Sequence, residues 1–361
     1  MRVVHVYKDI YPVLGGMENF VRLLCRELLR QPDIEPAILV TSPNRHSSAG
    51  RLDGVPVLRA ARLATVASTP ISLRLGYELR RMRPDLVHLH FPYPIGEISA
   101  LLAVPDVPTV ITYQSDVVRQ RTLLRVYGPL LKLVLRRAAR IMPTSPAYLE
   151  SSPWLVPVRE RCTIVPLGID LAPFTAVQPR GDGHTLLFVG RFRYYKGLRY
   201  LIEALALLPE ARLVLVGGGP AEAELRRQAE ALGISRRITF ASADDDAALA
   251  AHYAAADVFV LPACARSEAF GLVLAEAAAS GLPSVSTELG TGTSYVNLDR
   301  VTGLVVPPAD AAALAAACRT LLGDAALRAR YGAAARARAT ELFDIRRVGV
   351  EVASIYREVL G

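Results

Sequence analysis

Residues 266–276, with the sequence RSEAFGLVLAE, combine two carboxylates, a glycine and the start of an apolar helix. Glu268 precedes the predicted helix 272–279, and Glu276 lies about two helical turns further along the chain. Gly271 allows a ligand to approach the backbone closely, and the N–H groups of a first helical turn favour an anion. One carboxylate would therefore meet the near end of a ligand and the other its far, hydroxyl-bearing part. The alternative is a capped surface helix with two solvated glutamates.

Two cations stand directly after a predicted strand in the same half of the chain. The strand 186–190 runs into RFRYYKG, residues 191–197, which places Arg191 and Lys196 just before a predicted helix. Arg offers a planar fork for two phosphate oxygens, and Lys offers a mobile point charge. This loop therefore predicts a diphosphate site, with a plain solvated loop as the alternative.

Glycine and acidic runs in this half limit the other chemistries. Gly217 and Gly218 end a further strand and would let a planar base or a ribose lie against the backbone. A dinucleotide-dependent oxidoreductase is disfavoured, because GxGxxG is absent and no acidic residue ends the next strand. The acidic run 244–246 precedes an alanine-rich segment and is typical of a helix cap, so we predict no metal site.

Glycine and polar residues also follow two predicted strands in the first half of the chain. Gly15 and Gly16 stand between the first strand and a helix, at the sheet edge where ligands of doubly wound folds bind. A plain tight turn explains this pair equally well. Gln114 and Asp116 follow the fifth strand, at the same edge of the sheet.

The elements that must position these residues alternate between strand-like and helix-like segments. In each half they indicate an α/β fold with a doubly wound parallel sheet. Residues 172–183 are rich in Pro and Gly and indicate a linker, and residues 345–360 form a predicted final helix. The predicted strands are 3–7, 37–41, 55–58, 86–90 and 109–113, then 186–190, 213–216, 238–241, 258–261, 284–287 and 304–306.

Composition agrees with repeated packing of helices on sheets, since 52% of the 361 residues are hydrophobic and only 7% are aromatic. The length predicts two domains. Four cysteines without CxxC spacing indicate neither a disulfide framework nor a zinc site, and they favour a reducing cytosol. Because the sequence has no run of about 18 uncharged apolar residues, we expect any membrane contact to be peripheral.

The net charge of +8 comes entirely from the first half of the chain. Residues 1–170 hold 22 Lys and Arg against 14 Asp and Glu, whereas residues 171–361 hold 20 against 20. The segment 117–140 contains seven of these cations and no acidic residue. A helix of that kind could lie on an anionic membrane surface. The alternative is a domain helix that packs its leucines on the sheet, with a kink or break at Gly128-Pro129.

Several motifs together resemble those of the retaining glycosyltransferases of family 4, which have the GT-B fold. The matching motifs, in chain order, are GGME, PLGID, VGRFRYYKG, GGGP, SEAFGLVLAE, GTGTSYV and TGLVVPP. Within this family, YQSDVVRQR, TSPAYLESSP and TELGTGTSYVN resemble bacterial O-antigen and polysaccharide mannosyl- or rhamnosyltransferases.

The resemblance implies two Rossmann-like domains that face each other across a cleft. The acceptor-binding domain would comprise residues 1–170 and the sugar-nucleotide-binding domain residues 171–344. A final helix, 345–361, would cross back to the first domain.

The resemblance also assigns roles. Arg191 and Lys196 would bind the diphosphate, and Glu268 would hold the donor sugar; these three are the catalytic residues. The donor-binding residues would be Glu276, Phe270, Gly271, Leu272, Gly15, Gly16, Gly217 and Gly218. Contacts to the acceptor or sugar would come from Gln114, Asp116 and His90.

The implied activity is hexosyl transfer, of mannose or rhamnose type, from a nucleoside-diphosphate sugar to a glycan or polyprenyl-diphosphate-linked acceptor. A GDP-sugar is favoured over a UDP-sugar, and no metal, other cofactor or nucleic acid is implied. The protein would be cytoplasmic or peripheral at the inner face of the cytoplasmic membrane. The sequence departs from the family at Gln114, where the family usually has a histidine. Glutamine does not titrate, so it cannot take an acid–base role. The alternative function is a catalytically silent sugar-nucleotide-binding subunit of a polysaccharide assembly complex.

Overall fold

A computed structural model describes residues 1–13, 15–66, 69–116, 121–243 and 245–361, with the side chains of residues 121–126 excepted. The chain divides into two compact units. Unit 1 comprises Met1–Gly168 and Ile345–Gly361, and unit 2 comprises Ile169–Asp344. The domain boundary predicted after residue 170 lies two residues from the observed one, which follows Gly168. The boundary predicted after residue 344 is the same as the observed one.

Unit 1 is built on a seven-stranded sheet with the order β3-β4-β2-β1-β7-β8-β9, in which only the β3–β4 pair is antiparallel. The central strands are buried over almost their whole length, which is why they read as continuous apolar runs. The strands are β1 (Arg2–Val6), β2 (Glu35–Thr41), β3 (Ser48–Leu52), β4 (Val55–Ala60), β5 (Ala64–Val66), β6 (Thr69–Ile71), β7 (Leu86–Phe91), β8 (Thr109–Tyr113) and β9 (Arg140–Pro143).

Within the described residues, four helices of unit 1 connect its strands, and a fifth follows β9. The direction of strand succession reverses between β1 and β7, so the loops after these two strands open at the position where doubly wound folds bind ligands. The helices are α1 (Gly16–Leu28), α2 (Leu75–Arg81), α3 (Pro94–Ala103), α4 (Arg121–Arg137) and α5 (Pro146–Ser151), with a 3₁₀ helix at Val156–Arg161.

Unit 2 contains a six-stranded, fully parallel sheet with the order β12-β11-β10-β13-β14-β15. Numbered within the unit, this is the strand order 3-2-1-4-5-6 of the Rossmann fold. The reversal falls between β10 and its neighbour β13. The strands are β10 (Thr185–Val189), β11 (Arg212–Val216), β12 (Ile238–Ala241), β13 (Val258–Leu261), β14 (Ser284–Thr287) and β15 (Gly303–Val306).

The helices of unit 2 alternate with these strands. They are α6 (Ala172–Thr175), α7 (Leu198–Ala206), α8 (Glu222–Ala231), α9 (Asp246–Ala254), α10 (Leu272–Ala279), α11 (Thr293–Val296), α12 (Ala311–Gly323) and α13 (Ala325–Leu342), with 3₁₀ helices at Tyr194–Lys196 and Ser235–Arg237.

The final helix, α14 (Ile345–Leu360), belongs to unit 1 and packs against α1. Gly349 allows this close packing, because a Cβ there would lie 2.9 Å from the Cβ of Glu27. Among the described residues, no helix has both the length and the hydropathy needed to cross a membrane.

Candidate active site

The loop after β10 is folded so that Lys196 is buried. Gly190 and Gly197 both have positive φ, +139° and +67°, which favours glycine. A Cβ at Gly197 would collide with the carbonyl oxygen of Pro262, just after β13. The loop therefore packs directly on the end of the neighbouring strand, and Lys196 is buried at 9% exposure. Arg191 is exposed in the same loop.

Lys196 and Glu268 form an ion pair at the reversal point of the sheet. The Nζ of Lys196 lies 2.5 Å from the Oε2 of Glu268. Glu268 is 8% exposed. These two residues are far apart in the chain and were predicted to share one site. The structure brings their side chains into contact. The pair joins the loop after β10 to the loop after β13, where doubly wound sheets bind their ligands.

The backbone around Glu268 is fixed by the loop that follows β14. Thr291, which is fully buried, donates from Oγ1 to the carbonyl of Glu268 at 2.9 Å. The amide of Gly292 donates to the carbonyl of Ala269 at 2.7 Å. Glu268 therefore sits on a preorganised loop, and Thr291 is a supporting residue that sequence analysis missed.

Helix α10 begins at Gly271, which adopts a left-handed conformation with φ +83° and serves as the N-cap. None of the amides of Phe270, Gly271 and Leu272 donates a hydrogen bond within the described part of the chain. The ring of Phe270 is buried and packs edge-on against Phe343, with centroids 5.7 Å apart. Phe270 can thus serve a ligand through its backbone only, as its predicted role requires.

Glu276 lies on α10 and is held by a tyrosine. The hydroxyl of Tyr253 donates to Oε2 of Glu276 at 2.8 Å. Burial raises the pKa of Glu276 to about 7, while the hydrogen bond from Tyr253 opposes that rise. Tyr253 was not identified from the sequence, because it lies 23 residues before its partner and no periodicity links the two.

The glycines after β11 have a structural explanation. A Cβ at Gly217 would collide with the carbonyl oxygen of Gly190, and one at Gly219 would lie 2.7 Å from the carbonyl oxygen of Phe192. Gly218 accepts a hydrogen bond from the amide of Phe192 at 2.9 Å. Glycines at 217 and 219 are therefore needed for loop-to-loop packing, and donor binding by Gly217 and Gly218 stays a prediction.

The Gly15–Gly16 turn opens α1. Gly15 is the N-cap, with an extended backbone at φ −173°, and Gly16 is the first residue of the helix. The carboxylate of Glu18 folds back over Gly15, where a Cβ would collide with it. The turn lies after β1, beside the reversal point of the unit 1 sheet, and its predicted contact with a diphosphate stays a prediction.

Gln114 and His90 join a buried histidine network inside unit 1. His90 is 1% exposed, and its two ring nitrogens lie 3.1 Å from Nδ1 of His5 and 3.5 Å from Nε2 of Gln114. His88 pairs with the hydroxyls of Tyr356, at 2.5 Å, and Thr112, at 2.7 Å. The structure thus places His90 in the core rather than at a surface that an acceptor or sugar could reach. Gln114 is itself buried, at 4% exposure.

The three histidines are close enough to raise the question of a metal. Their ring nitrogens lie within 4.8 Å of one another, and no other such group of His, Cys, Asp or Glu occurs among the described residues. All six ring nitrogens, however, have hydrogen-bond partners, the two longest contacts being His5 Nε2 to Tyr356 and His90 Nδ1 to Gln114, each at 3.5 Å. The rings of His88 and His90 also stack, with centroids 4.3 Å apart. The cluster is a satisfied hydrogen-bond network.

Asp116 anchors the end of β8. Its Oδ1 accepts from the hydroxyls of Tyr113, at 2.8 Å, and Ser152, at 2.7 Å. Its amide donates to the hydroxyl of Tyr148 at 3.4 Å. These contacts give Asp116 a structural role between β8 and α5, and its predicted contact with an acceptor or sugar stays a prediction.

Most of the basic segment forms α4, and the predicted break between two helices at Gly128-Pro129 is wrong, because one 17-residue helix runs through Pro129. The alternative of a kink at this position stays a prediction. The described part of α4 buries Tyr127, Leu131, Val134 and Leu135. Its opposite face exposes Lys132, Leu133, Arg136 and Arg137. Arg119, Arg121 and Arg125 lie outside the described side chains. The helix thus packs on its domain as the alternative interpretation held, and it also presents an exposed basic face.

The acidic run 244–246 was predicted to cap a helix. Asp245 caps α9, because its Oδ1 accepts from the amide of Ala248 at 2.7 Å. This confirms the interpretation of the run as a helix cap, with residue 244 lying outside the described residues.

Comparison with solved structures shows the architecture of the whole chain. Sucrose-phosphate synthase from Thermosynechococcus elongatus superimposes with a TM-score of 0.79 at 23% identity, covering 99% of this chain and 98% of that one. HepE from Anabaena, solved in complex with UDP, gives a TM-score of 0.79 at 19% identity, covering 99% and 100%. Two parallel-sheet α/β units of this kind define the GT-B fold.

Sequence comparison narrows the class to a family. Residues 14–173 match the model of Glycosyltransferase Family 4, and residues 174–338 match that of Glycosyl transferases group 1. O-antigen chain mannosyltransferase C of Escherichia coli is 36% identical over 354 residues, which cover 95% of this chain and 94% of that protein. D-rhamnosyltransferase WbpZ of Pseudomonas aeruginosa is 37% identical, covering 95% and 92%. The chain belongs to glycosyltransferase family 4.

Proposed function

We propose that this enzyme transfers a hexosyl group, of mannose or rhamnose type, from a nucleoside-diphosphate sugar to a glycan or polyprenyl-diphosphate-linked acceptor in cell-surface polysaccharide synthesis. The anomeric configuration is retained, and no metal takes part. A GDP-sugar is favoured over a UDP-sugar. The names of the two bacterial relatives support the choice of sugar type and of pathway class.

The ion pair of Lys196 and Glu268 is the observation that carries this proposal. It places a buried ammonium and a buried carboxylate in contact at the reversal point of the unit 2 sheet. The ammonium suits a diphosphate, the carboxylate suits sugar hydroxyls, and Glu276 lies two turns further along for a ribose. Arg191, exposed in the same loop, adds a planar donor for phosphate oxygens.

The proposed reaction needs no nucleophilic side chain. An acceptor hydroxyl oxygen forms a bond to the anomeric carbon on the face from which the diphosphate leaves. The bond from that carbon to the β-phosphate oxygen breaks, and the hydroxyl proton passes to the leaving phosphate. Lys196 and Arg191 stabilise the negative charge that develops on the diphosphate, so catalysis rests on positioning and electrostatics.

The acceptor side of the proposal involves unit 1 and the membrane. The exposed face of α4 carries Lys132, Arg136 and Arg137 beside Leu133. Such a face suits anionic headgroups at the cytoplasmic surface of a bilayer, where a polyprenyl-linked acceptor would be anchored.

Donor turnover tests the function. We expect the purified enzyme to release nucleoside diphosphate from a GDP-hexose in the presence of EDTA, and to do so faster with a polyprenyl-diphosphate-linked oligosaccharide. NMR of the product should give the same anomeric configuration as the donor. Donor binding without turnover on any acceptor would favour the silent subunit, and an inverted product would exclude the retaining mechanism.

A further inference from the structure

Tyr253 is a fully buried residue of α9 whose hydroxyl points at one of the proposed donor-binding carboxylates. Its exposure is 0%, and its hydroxyl lies 2.8 Å from Oε2 of Glu276 and 3.3 Å from the carbonyl oxygen of Val273. A phenol has a single hydrogen to donate. The shorter distance and the charge of the carboxylate assign that hydrogen to Glu276.

The ring of Tyr253 is wedged between two other aromatic side chains. The ring of Phe174, in α6, meets it edge-on with centroids 5.7 Å apart. The ring of Phe259, in β13, lies at the same distance and is tilted. Because β13 and α6 fix the ring from two sides, the position of the hydroxyl is set by the core of unit 2 and not by the ligand.

We infer that Tyr253 is a positioning residue for Glu276, which holds the carboxylate in one orientation and leaves Oε1 to accept hydroxyl groups of the donor's ribose. This inference rests on the proposed function. A core tyrosine, from an element that contributes no residue to the predicted site, thus controls the ribose end of the donor.

The protonation of Glu276 explains why such support is needed. With Oε2 accepting the hydrogen of Tyr253, Oε1 accepts ribose hydroxyls only when the carboxyl group is ionised, since the proton of the neutral acid would lie on Oε1 and make it a donor. Burial raises the pKa of Glu276 to about 7, and Asp246, on the same helix as Tyr253, raises it as well. The Tyr253 hydroxyl and Lys196 lower the pKa. Removal of the hydroxyl therefore raises the pKa and reduces the ionised fraction at neutral pH.

Substitution of Tyr253 by phenylalanine isolates the hydroxyl, because the ring contacts are kept. Calorimetric titration with GDP and UDP would be carried out at pH 7.0 and pH 8.5. We expect Tyr253→Phe to weaken binding of the preferred nucleotide by about fivefold or more at pH 7.0, with recovery at pH 8.5. Tyr331→Phe is the matched control, a buried tyrosine of α13 in the same unit, and should bind as the wild type does at both pH values.

A double-mutant cycle shows whether Tyr253 acts through Glu276. If it does, Tyr253→Phe has no further effect on binding in a Glu276→Gln background. Equal affinities of Tyr253→Phe and wild type at pH 7.0, with Glu276→Gln still impaired, would overturn the inference and leave the proposed function intact. If Glu276→Gln and Lys196→Ala also bound nucleotide as the wild type does, the donor site itself would be wrong and both proposals would fail.

Discussion

Lys196 and Glu268 are each other's charge partner in the candidate active site. Each side chain is about one-tenth exposed, and the 2.5 Å contact neutralises the ammonium that the proposed diphosphate would need. A diphosphate must therefore compete with Glu268 for Lys196, and the released carboxylate becomes available to the sugar. The ion pair holds both charges in position. A single buried charge without its partner would be strongly unfavourable.

Lys196→Ala tests this residue pair. We expect a loss of at least tenfold in kcat/KM, and of about 10²–10³ if the ammonium acts as one preorganised donor in the transition state. The variant also leaves the Glu268 carboxylate buried without its cation, which lowers the free energy of unfolding by about 3 kcal/mol. Steady-state kinetics and thermal denaturation measure the two effects separately.

Lys196→Arg and Lys196→Met complete this set of variants. The first keeps a cation and should retain more activity than the second, which keeps only the length of the side chain. Equal rates for wild type and Lys196→Ala would remove this residue from the site.

Residue spacing made part of this site predictable. One local pattern consists of two glutamates eight residues apart around a helix start, and another consists of two cations at a strand end. Both patterns can be recognised without a structure. Tyr253 and Thr291 carry no such pattern, because their partners lie 23 residues away along the chain. His90 was predicted to contact the acceptor or the sugar, but it is buried in the core. Its position at a strand end does not indicate in which direction its ring points.

Four elements of unit 1, β1, β7, β8 and α14, converge on the histidine network, which makes this unit sensitive to acid. Burial lowers the pKa of His5 to about 3, and it lowers those of His88 and His90 well below 6.5. An unfolded chain binds these protons below pH of about 6.5, whereas the folded chain does not. The stabilisation is therefore complete above that pH and is lost as the pH falls below it.

Denaturant unfolding between pH 7.5 and 5 measures this effect. We expect each histidine to lower the free energy of unfolding by about 1.4 kcal/mol per pH unit once the unfolded form is protonated. His5→Gln should reduce the slope of the free energy of unfolding against pH by about the contribution of one histidine. The exposed His46→Gln should leave this slope unchanged. A slope that is the same in wild type and His5→Gln would contradict this explanation.

Helix α4 allows membrane binding to be separated from folding. Because Lys132 and Arg136 are exposed, changing both to glutamate should leave the melting temperature within a few degrees of the wild type. Recovery in flotation with vesicles rich in anionic lipid should fall severalfold. Arg227→Glu with Arg236→Glu, an equal charge change on exposed residues of unit 2, serves as the control. Equal flotation of both double variants would assign no membrane role to α4.

Buried parallel strands were the easiest elements to predict. The bounds of β8, β12, β13 and β14 match the predicted ranges. The strand β13 is apolar throughout, whereas β8, β12 and β14 also contain Thr or Ser. The strand β3 was missed because its residues, SAGRL, are nearly all exposed and form no apolar run. A signal did exist: Asp53 and Gly54 both have positive φ, as a tight hairpin turn between β3 and β4 requires, and the dipeptide is typical of such turns.

On the scale of the whole molecule, unit 1 is assembled from both ends of the chain. Helix α14 buries Ile345, Val348, Val352, Ile355 and Tyr356 in this unit. At about 1.5–3 kcal/mol for each large apolar side chain, their removal costs about 10 kcal/mol, which is comparable to the entire stability of a domain. Residues 1–168 alone should therefore not fold.

A shortened chain tests this account of unit 1. Gly168 and Ile345 are in contact, because a Cβ on Gly168 would lie 2.8 Å from Cα of Ile345. Replacement of residues 169–344 by a short Gly/Ser linker should therefore give a soluble, cooperatively unfolding unit 1, as judged by circular dichroism and calorimetry. Residues 1–168 without α14 are the control. If that control folded equally well, α14 would not be part of the core of unit 1.

The same junction continues on the side of unit 2, where Ile169 pairs with Asp344 and its amide donates to Phe343 at 2.8 Å. The polypeptide thus leaves one unit and returns to it through two adjacent passages, and residues 169–344 behave topologically as an insertion. Chimeras that exchange this cassette between relatives need only one splice point on each passage, and they would test whether residues 169–344 choose the donor, as proposed.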